Sequence, residues 1–270
     1  MSAAARLGRG FGWLLLAVLL LAAVAPGLFT DLPATEPDLS SALRPPDAAH
    51  WFGTDELGRD VYSRVVHGAG YSLLVGGGAV LLAIAGATVI GLLAAFGGGP
   101  VDRAVVGGLD LLLALPGLLL SLLVITVTGA GTVNVLLAVA LGSLPGFARV
   151  IRAQALVVRR SEYVEAARCL GVRRGAILWR HVVPNTLAPL LVLGTTGVGT
   201  CVVAGAALSF LGLGPQAPAP EWGTMVSDGR HLLDQAWWVA VFPGLAISLT
   251  VILVTVLGRD LERTFGAPAG

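Results

Sequence analysis

Hydrophobic residues along the chain are gathered into six long runs, and polar segments separate them. The runs cover about residues 11–29, 71–96, 104–127, 132–149, 185–211 and 236–257. A bilayer core about 30 Å thick needs roughly 20 apolar residues in helical form. We therefore expect an all-α fold, a polytopic membrane protein with six transmembrane helices. The fourth run is the weakest because Gly142, Pro145 and Gly146 interrupt it.

Charged residues are divided unevenly among the segments between these runs. Segment 149–184 carries eight arginines, whereas 30–70 and 212–235 together carry four arginines and ten acidic residues. By the positive-inside rule the first segment is cytoplasmic and the other two lie outside. Arg6 and Arg9 place the N terminus in the cytoplasm, and six crossings return the C terminus there. The first run lacks a convincing cleavage site after it, so we interpret it as an uncleaved span and not as a signal peptide.

Small residues recur at every fourth position of the second run, which predicts a flat stripe where another helix packs closely. The stripe consists of Ala79, Ala83, Ala87, Gly91 and Ala95. It supports a packed helical bundle.

Composition agrees with a membrane-embedded protein. Of the 270 residues 56% are hydrophobic and 12% are charged, and the mean hydropathy is +0.85. The net charge of +1 gives no reason to expect nucleic-acid binding. Cys169 and Cys201 provide neither a disulfide framework nor a metal site. All 17 residues counted as Lys or Arg are arginines, so a lysine-dependent phosphate-binding loop is impossible, and we expect any ATP-derived energy to come from another polypeptide.

The centre of segment 149–184 predicts a short helix outside the bilayer. Ser161 is suited to the N-cap, and Glu162 and Glu165 lie near the positive end of the helix. Gly171 can adopt the left-handed conformation that ends a helix. The predicted helix is therefore about two and a half turns long.

One face of this helix is apolar. Its residues recur at i, i+3, i+4 and i+7, and they are Tyr163, Ala166, Ala167 and Leu170. Such a stripe fits a groove in a partner protein. It also fits the surface of the chain's own bundle, and the pattern alone leaves both alternatives open.

The same segment resembles the EAA loop of binding-protein-dependent ABC permeases. Glu165-Ala166-Ala167 is followed by Gly171 and, after nine intervening residues, by His181-Val182-Val183-Pro184-Asn185, with valine at Val183 where leucine is usual. In that family the loop forms a coupling helix that docks on the ATP-binding subunit. The resemblance implies a type I ABC importer permease fold. It also implies a coupling role for Glu162, Tyr163, Glu165, Ala166, Ala167, Leu170, Gly171 and Pro184.

Further stretches resemble the C-type subunit of the dipeptide, oligopeptide and nickel permease group. They are residues 50–64, 208–214 and 220–223, and the tail at 257–261 departs from the usual pattern. The resemblance implies an N-terminal helix and external segment over 1–70 and an ABC transmembrane domain over 71–262. It also implies import of di- or oligopeptides by alternating access across the cytoplasmic membrane of a prokaryote.

That resemblance also specifies partners. They are a second related permease subunit, two ABC ATPase subunits that hold ATP and Mg, an extracytoplasmic solute-binding protein and the lipid bilayer. The chain itself is expected to be a transport subunit without enzymatic activity or a cofactor of its own.

Other functions remain as alternatives. Import of nickel or another small solute is the main one. A self-contained secondary transporter needs its own ion-coupling site, and the runs offer only Asp110 and no evident duplication. An intramembrane protease is disfavoured because all four histidines lie outside the runs.

Asp110 lies about seven residues into the third run, roughly 10 Å from its cytoplasmic end. An intramembrane carboxylate is a candidate functional residue. It is expected to pair with an arginine or a helix terminus in the paired subunit, or to take part directly in substrate passage.

The outer segment before the second run has the residues of a turn and a helix cap. Gly53, Gly58 and the pair Thr54-Asp55 predict turns before an amphipathic helix from about Asp60. Contact with a solute-binding protein is the functional alternative for this segment. The tryptophans of the last outer segment and the sixth run fit an interfacial belt: Trp222, Trp237 and Trp238.

Overall fold

The computed structural model describes the backbone of residues 3–265 and the side chains of 10–173, 175–186, 190 and 193–261. This part of the chain is mainly helical, with one isolated β-bridge from Thr54 to Asp60 and no strand. Its helices are α1 Ala3–Val24, α2 Val61–Phe96, α3 Gly99–Leu113, α4 Gly117–Thr128, α5 Thr132–Arg159, α6 Glu162–Cys169, α7 Arg174–Ile177, α8 Val183–Phe210, α9 Trp222–Gly229 and α10 Trp238–Phe265. A π-helical turn, Leu178–Val182, joins α7 to α8. The predicted all-α class is confirmed.

Four helical stretches within the described residues are long and apolar enough to cross a membrane. They are Val61–Phe96, Thr132–Arg159, Leu193–Phe210 and Trp238–Leu261. Helices α3 and α4 pass the same test together, which makes a fifth span if the pair is one. The apolar part of α1, Gly10–Val24, is shorter.

The third predicted run is not a straight helix, because α3 and α4 meet at an angle of 92°. The break falls at Pro116, whose φ of −54° and ψ of 132° take it out of the helix. Proline has no amide hydrogen to donate, and its ring disfavours helical conformation at Leu115. The second half of the run therefore turns toward α5.

The core is built around α2, which packs against α5 and α8. The five small residues predicted to form its stripe are all buried. At Gly91 a Cβ atom would lie 2.9 Å from the Ala148 carbonyl oxygen of α5. The two backbones thus approach to a distance that a larger residue would prevent, as the stripe predicts.

The outer segment before α2 forms the predicted turns and cap. Gly53 and Gly58 have φ values of 71° and 73°. The carboxylate of Asp60 accepts a hydrogen bond from the Ser63 amide (2.7 Å) at the N-cap of α2. The amphipathic helix that begins there and the second apolar run are one uninterrupted helix of 36 residues.

The predicted tryptophan belt is wrong for two of its three members. Trp222 and Trp238 are buried. Trp222 donates from Nε1 to the Val65 carbonyl oxygen (2.8 Å), and Trp238 donates to that of Thr54 (3.0 Å). Trp237 is about half exposed. The hydrogen bonds of the two buried indoles connect the outer segments to the helical bundle.

Candidate functional site

Helix α6 ends in a Schellman motif at the predicted glycine. Gly171 has a φ of 75°, its amide donates to Arg168 (3.0 Å), and the Val172 amide donates to Ala167 (3.1 Å). Ser161 occupies the predicted N-cap. Its hydroxyl, however, donates backward to the Val158 carbonyl oxygen (2.6 Å) and does not cap α6.

The predicted apolar stripe of α6 is divided between two environments. Ala167 is buried together with Val164, and both pack in a cluster with Ala155 of α5, Ile177 and Val182. Tyr163, Ala166 and Leu170 are exposed, Leu170 to 83%. The prediction that all four stripe residues share one face is corrected, because Ala167 faces the chain's own bundle. Three of the four remain open to a partner.

The flanks of α6 face different elements. The Tyr163 ring lies 6.0 Å from that of His181, in the π-helical turn. Glu165 and Arg168 lie on the opposite flank, because residues of a helix are separated by about 100° each. There they line a cleft with the end of α5. Glu162 and Glu165 are both exposed in the first turn of α6.

An exposed tryptophan extends this surface. Trp179, in the π-helical turn, has 71% of its surface exposed, and sequence reasoning missed it. A single tryptophan among arginines was the available signal. Pro184 is exposed in the first turn of α8, directly after the π-helical turn, and it has no amide hydrogen to donate back into that turn.

Asp110 is paired within its own chain. The Arg149 guanidinium of α5 donates a hydrogen bond to its carboxylate. Nearer the start of α3, Arg152 donates to Asp102 through Nε (2.5 Å) and Nη2 (2.7 Å). Asp110 thus has an arginine partner within the chain, and a partner in the paired subunit stays a prediction.

Helix α5 is longer than its apolar run predicted, because it continues from residue 149 to Arg159. Arg149 and Arg152 thus belong to a helix and not to a loop.

Residues 87–265, two thirds of the chain, match the family described as "Binding-protein-dependent transport system inner membrane component". The chain belongs to this family of permeases.

Curated relatives resemble the permease over most of its length. The dipeptide transport system permease protein DppC of Alkalihalophilus pseudofirmus is 39% identical over 251 residues, 93% of this chain and 83% of that protein. The probable D,D-dipeptide transport system permease protein DdpC of Escherichia coli is 39% identical, over 94% and 85%. The glutathione transport system permease protein GsiD of Escherichia coli is 45% identical, over 80% and 72%.

Solved structures support the fold of the permease. A chain of the MetNI methionine ABC transporter, in inward-facing conformations, matches with a TM-score of 0.62 at 18% identity and covers 75% of this chain and 96% of that one. An amino acid ABC transporter chain matches with a TM-score of 0.58 at 16% identity, over 75% and 94%. The predicted type I importer permease fold is confirmed.

The permease has a cavity of about 750 Å³ among α4, α5, α8 and α10. Its polar side chains are uncharged, and they include Ser121, Ser143 and Thr200. Arg149 follows Gly142 and Gly146, which line the cavity, at i+7 and i+3 on the same face of α5. The Asp110–Arg149 pair thus lies about one helical turn beyond one end of the cavity.

Proposed function

We propose that this permease imports di- or oligopeptides that a solute-binding protein delivers. The observation that carries the proposal is the set of relatives named for dipeptide and glutathione transport, which are 39–45% identical over 80–94% of the chain. Glutathione is itself a small peptide, so these relatives share one class of solute. The permease would be one of two related membrane subunits.

The proposed orientation places both termini and α6 in the cytoplasm. It is supported by the arginine-rich segment 149–184 and by the acidic outer segments. We also propose a division into an N-terminal part, 1–70, and a transmembrane domain, 71–262, whose boundary falls inside α2, Val61–Phe96.

Helix α6 is proposed to dock on one of two ATPase subunits, which bind ATP and Mg. The exposure of Tyr163, Ala166 and Leu170 supports this, because these side chains are free to enter a groove in a partner. Val164 and Ala167 anchor the opposite face of α6 to the bundle. A displacement of α6 by the ATPase would therefore move α5 and α8 with it.

The remaining coupling residues have roles that follow from their positions. Glu162 and Glu165 present carboxylates at the exposed first turn, Gly171 ends the helix, and Pro184 begins α8. We propose that ATP-driven movement of α6 shifts the bundle between inward and outward states, which requires a different set of contacts in each state.

Uptake by the reconstituted system tests the function. The permease is combined in vesicles with its own binding protein, second permease and ATPases, and labelled dipeptide, glutathione and Ni²⁺ are offered. Saturable, ATP-dependent peptide uptake is expected, with an ATPase-inactive complex as the control. Uptake of Ni²⁺ without peptide uptake would contradict the proposed substrate class.

A further inference from the structure

A cleft lined mainly by arginines lies between the end of α2, the end of α5 and α6. It consists of two adjoining cavities of about 420 and 350 Å³, which share Arg159 and Arg168. The other residues that matter to its chemistry are Arg160, Glu165, Leu156 and Phe96. Three guanidinium groups face one carboxylate, so the cleft has an excess of positive charge.

The arginines of this cleft have N–H donors that make no hydrogen bond within the described structure. Arg159 donates from Nη1 to the Ala95 carbonyl oxygen (2.6 Å), and its guanidinium carbon lies 5.6 Å from the centre of the Phe96 ring. These contacts fix the group and use one of its five N–H donors. Within the described part of the chain, Arg159, Arg160 and Arg168 have no carboxylate within 4 Å, whereas Arg149 and Arg152 are paired. Guanidinium groups without a carboxylate partner suit a phosphate, which each can bind through two parallel hydrogen bonds.

The depth of the cleft places it among lipid headgroups. The apolar run of α2, residues 71–96, is roughly 39 Å long at about 1.5 Å per residue. That is longer than a hydrocarbon core of about 30 Å but within the 40–45 Å or so that includes the headgroups. Because Arg159 is bonded to Ala95, near the end of this run, its guanidinium lies at the headgroup level.

The deeper end of the cleft, toward the bilayer core, is apolar, and its outer end is basic. A phospholipid has the same order of acyl chains and phosphate. Leu156, Arg159 and Arg160 share one face of α5 at i, i+3 and i+4, with the leucine one turn deeper. The Phe96 ring lies against the Arg159 guanidinium, and Leu93 is exposed one turn deeper on α2. Acyl chains and a phosphate would both find complementary surfaces here.

We propose that this cleft binds the phosphate of an anionic phospholipid of the cytoplasmic leaflet, against the flank of α6 that Glu165 and Arg168 form. Anionic lipids give that leaflet its negative surface potential, which attracts basic groups near the membrane. The inference goes beyond the proposed function and depends on it only for the name of the leaflet. The bound lipid would stabilise the packing of α6 against the end of α5, on the side of α6 opposite Tyr163.

Native mass spectrometry of the purified permease complex tests this, after reconstitution in nanodiscs of phosphatidylcholine with or without phosphatidylglycerol. Arg168→Gln is the main variant, because the Arg168 side chain is exposed and makes no hydrogen bond within the described structure, so we expect its loss to leave the fold intact. Arg103→Gln is the matched control, since Arg103 is an exposed arginine without an acidic partner among the described residues. Retention of phosphatidylglycerol is expected to weaken roughly tenfold in Arg168→Gln, the loss of one charge-assisted contact, and to stay unchanged in the control.

Four results would overturn the proposal. Equal retention in wild type and Arg168→Gln would exclude the cleft, and equal retention of both lipids would exclude an anion-selective site. Displacement of the lipid by inorganic phosphate at equal concentration would show a site for free phosphate. Lipid bound to the permease without ATPases but absent from the complete complex would show that an ATPase side chain occupies the cleft.

Discussion

Arg152 of α5 holds both carboxylate oxygens of Asp102 of α3, through Nε at 2.5 Å and Nη2 at 2.7 Å. One turn away on α5, Arg149 is paired with Asp110. Two ion pairs therefore join α3, the first half of the broken span, to α5. Because the end of α5 also packs against α6, these pairs connect the candidate docking helix to the broken span through one helix.

Neutralising Asp110 tests the inner of these pairs. We expect Asp110→Asn to reduce transport, because Arg149 then loses its partner near the end of the cavity. The side chains are 52% and 58% exposed in the isolated chain, so pairing in water would contribute at most about 1 kcal/mol to stability. A larger loss would show that lipid or a second subunit covers the pair. Uptake and complex assembly are the measurements.

A charge reversal separates the two roles of Asp110. Asp110→Arg combined with Arg149→Asp keeps a pair and should restore transport if pairing is the function. Restored assembly without transport would instead indicate direct contact with the substrate. Full transport and full assembly in Asp110→Asn alone would contradict both interpretations.

Leu170→Asp tests the exposed side of α6. Leu170 is 83% exposed, so the substitution should change the free energy of unfolding by less than about 0.5 kcal/mol. It should nevertheless abolish ATP-dependent uptake, because a charge would enter the docking groove. Val164→Asp is the contrasting variant. It buries a charge in the α5–α6 cluster and should lower thermal stability as well as uptake.

Glu165→Arg and Gly171→Trp test coupling directly. Both variants should insert into the membrane and leave ATP hydrolysis intact while uptake falls. Gly171→Ala controls for the backbone, since a Cβ atom there meets nothing within 4 Å and the positive φ alone costs about 1 kcal/mol. Unchanged uptake in both test variants would count against docking through α6.

The apolar runs and the local signals predicted most of the helices. Hydropathy identified four spans and the bent α3–α4 pair, whereas the described apolar part of α1, predicted as a further span, is shorter. Gly171 and Asp60 marked helix ends because their conformations and hydrogen bonds are local. The extent of α5 was missed because Arg149 and Arg152 look like the start of a loop. Their carboxylate partners lie on α3, 39 and 50 positions away. A pattern along one segment contains no such contact.

Long-range contacts explain the other differences. Hydropathy does not distinguish an indole at the membrane surface from one that donates to a carbonyl 157 or 184 positions away, as Trp222 and Trp238 do. The division of the α6 stripe has the same origin, since Ala167 faces inward because it packs with Ala155, Ile177 and Val182 from other segments. The 92° bend could have been found, because Pro116 interrupts the third run.

Gly58→Ala should destabilise the outer segment severely. Gly58 has a φ of 73°, and an added Cβ atom would overlap the Asp38 carbonyl oxygen. Gly212→Ala is the matched control, because Gly212 has a φ of 83° but open space around it, so only the strain of about 1 kcal/mol applies. Thermal unfolding in detergent should show a much larger loss for Gly58→Ala. Equal losses would mean that the 38–58 contact does not support the fold.

Glu221 should make the stability of the permease depend on pH. It is buried, and its carboxylate accepts hydrogen bonds from the Thr224 amide (2.9 Å) and the Ser72 hydroxyl (3.3 Å). Burial nevertheless raises the pKa of Glu221 above its ordinary value, because the hydrogen bonds only partly offset the loss of hydration. The folded chain therefore binds this proton more tightly than the unfolded chain. Stability should fall as pH rises from the unfolded pKa, about 4.3, through the raised folded one.

Glu221→Gln isolates this contribution, because the glutamine oxygen still accepts from Thr224 and the charge is gone. The variant should be at least as stable as the wild type at neutral pH, since each pKa unit of upward shift costs the ionised form about 1.4 kcal/mol. It should also lose the pH dependence in that window. Glu56→Gln, at an exposed carboxylate of the outer segment, should leave the profile unchanged. The measurement is the thermal unfolding of all three proteins across the pH series. If the wild type instead gained stability as pH rose through the window, the prediction would be wrong. The hydrogen bonds of the Glu221 carboxylate would then stabilise its ionised form by more than burial destabilises it.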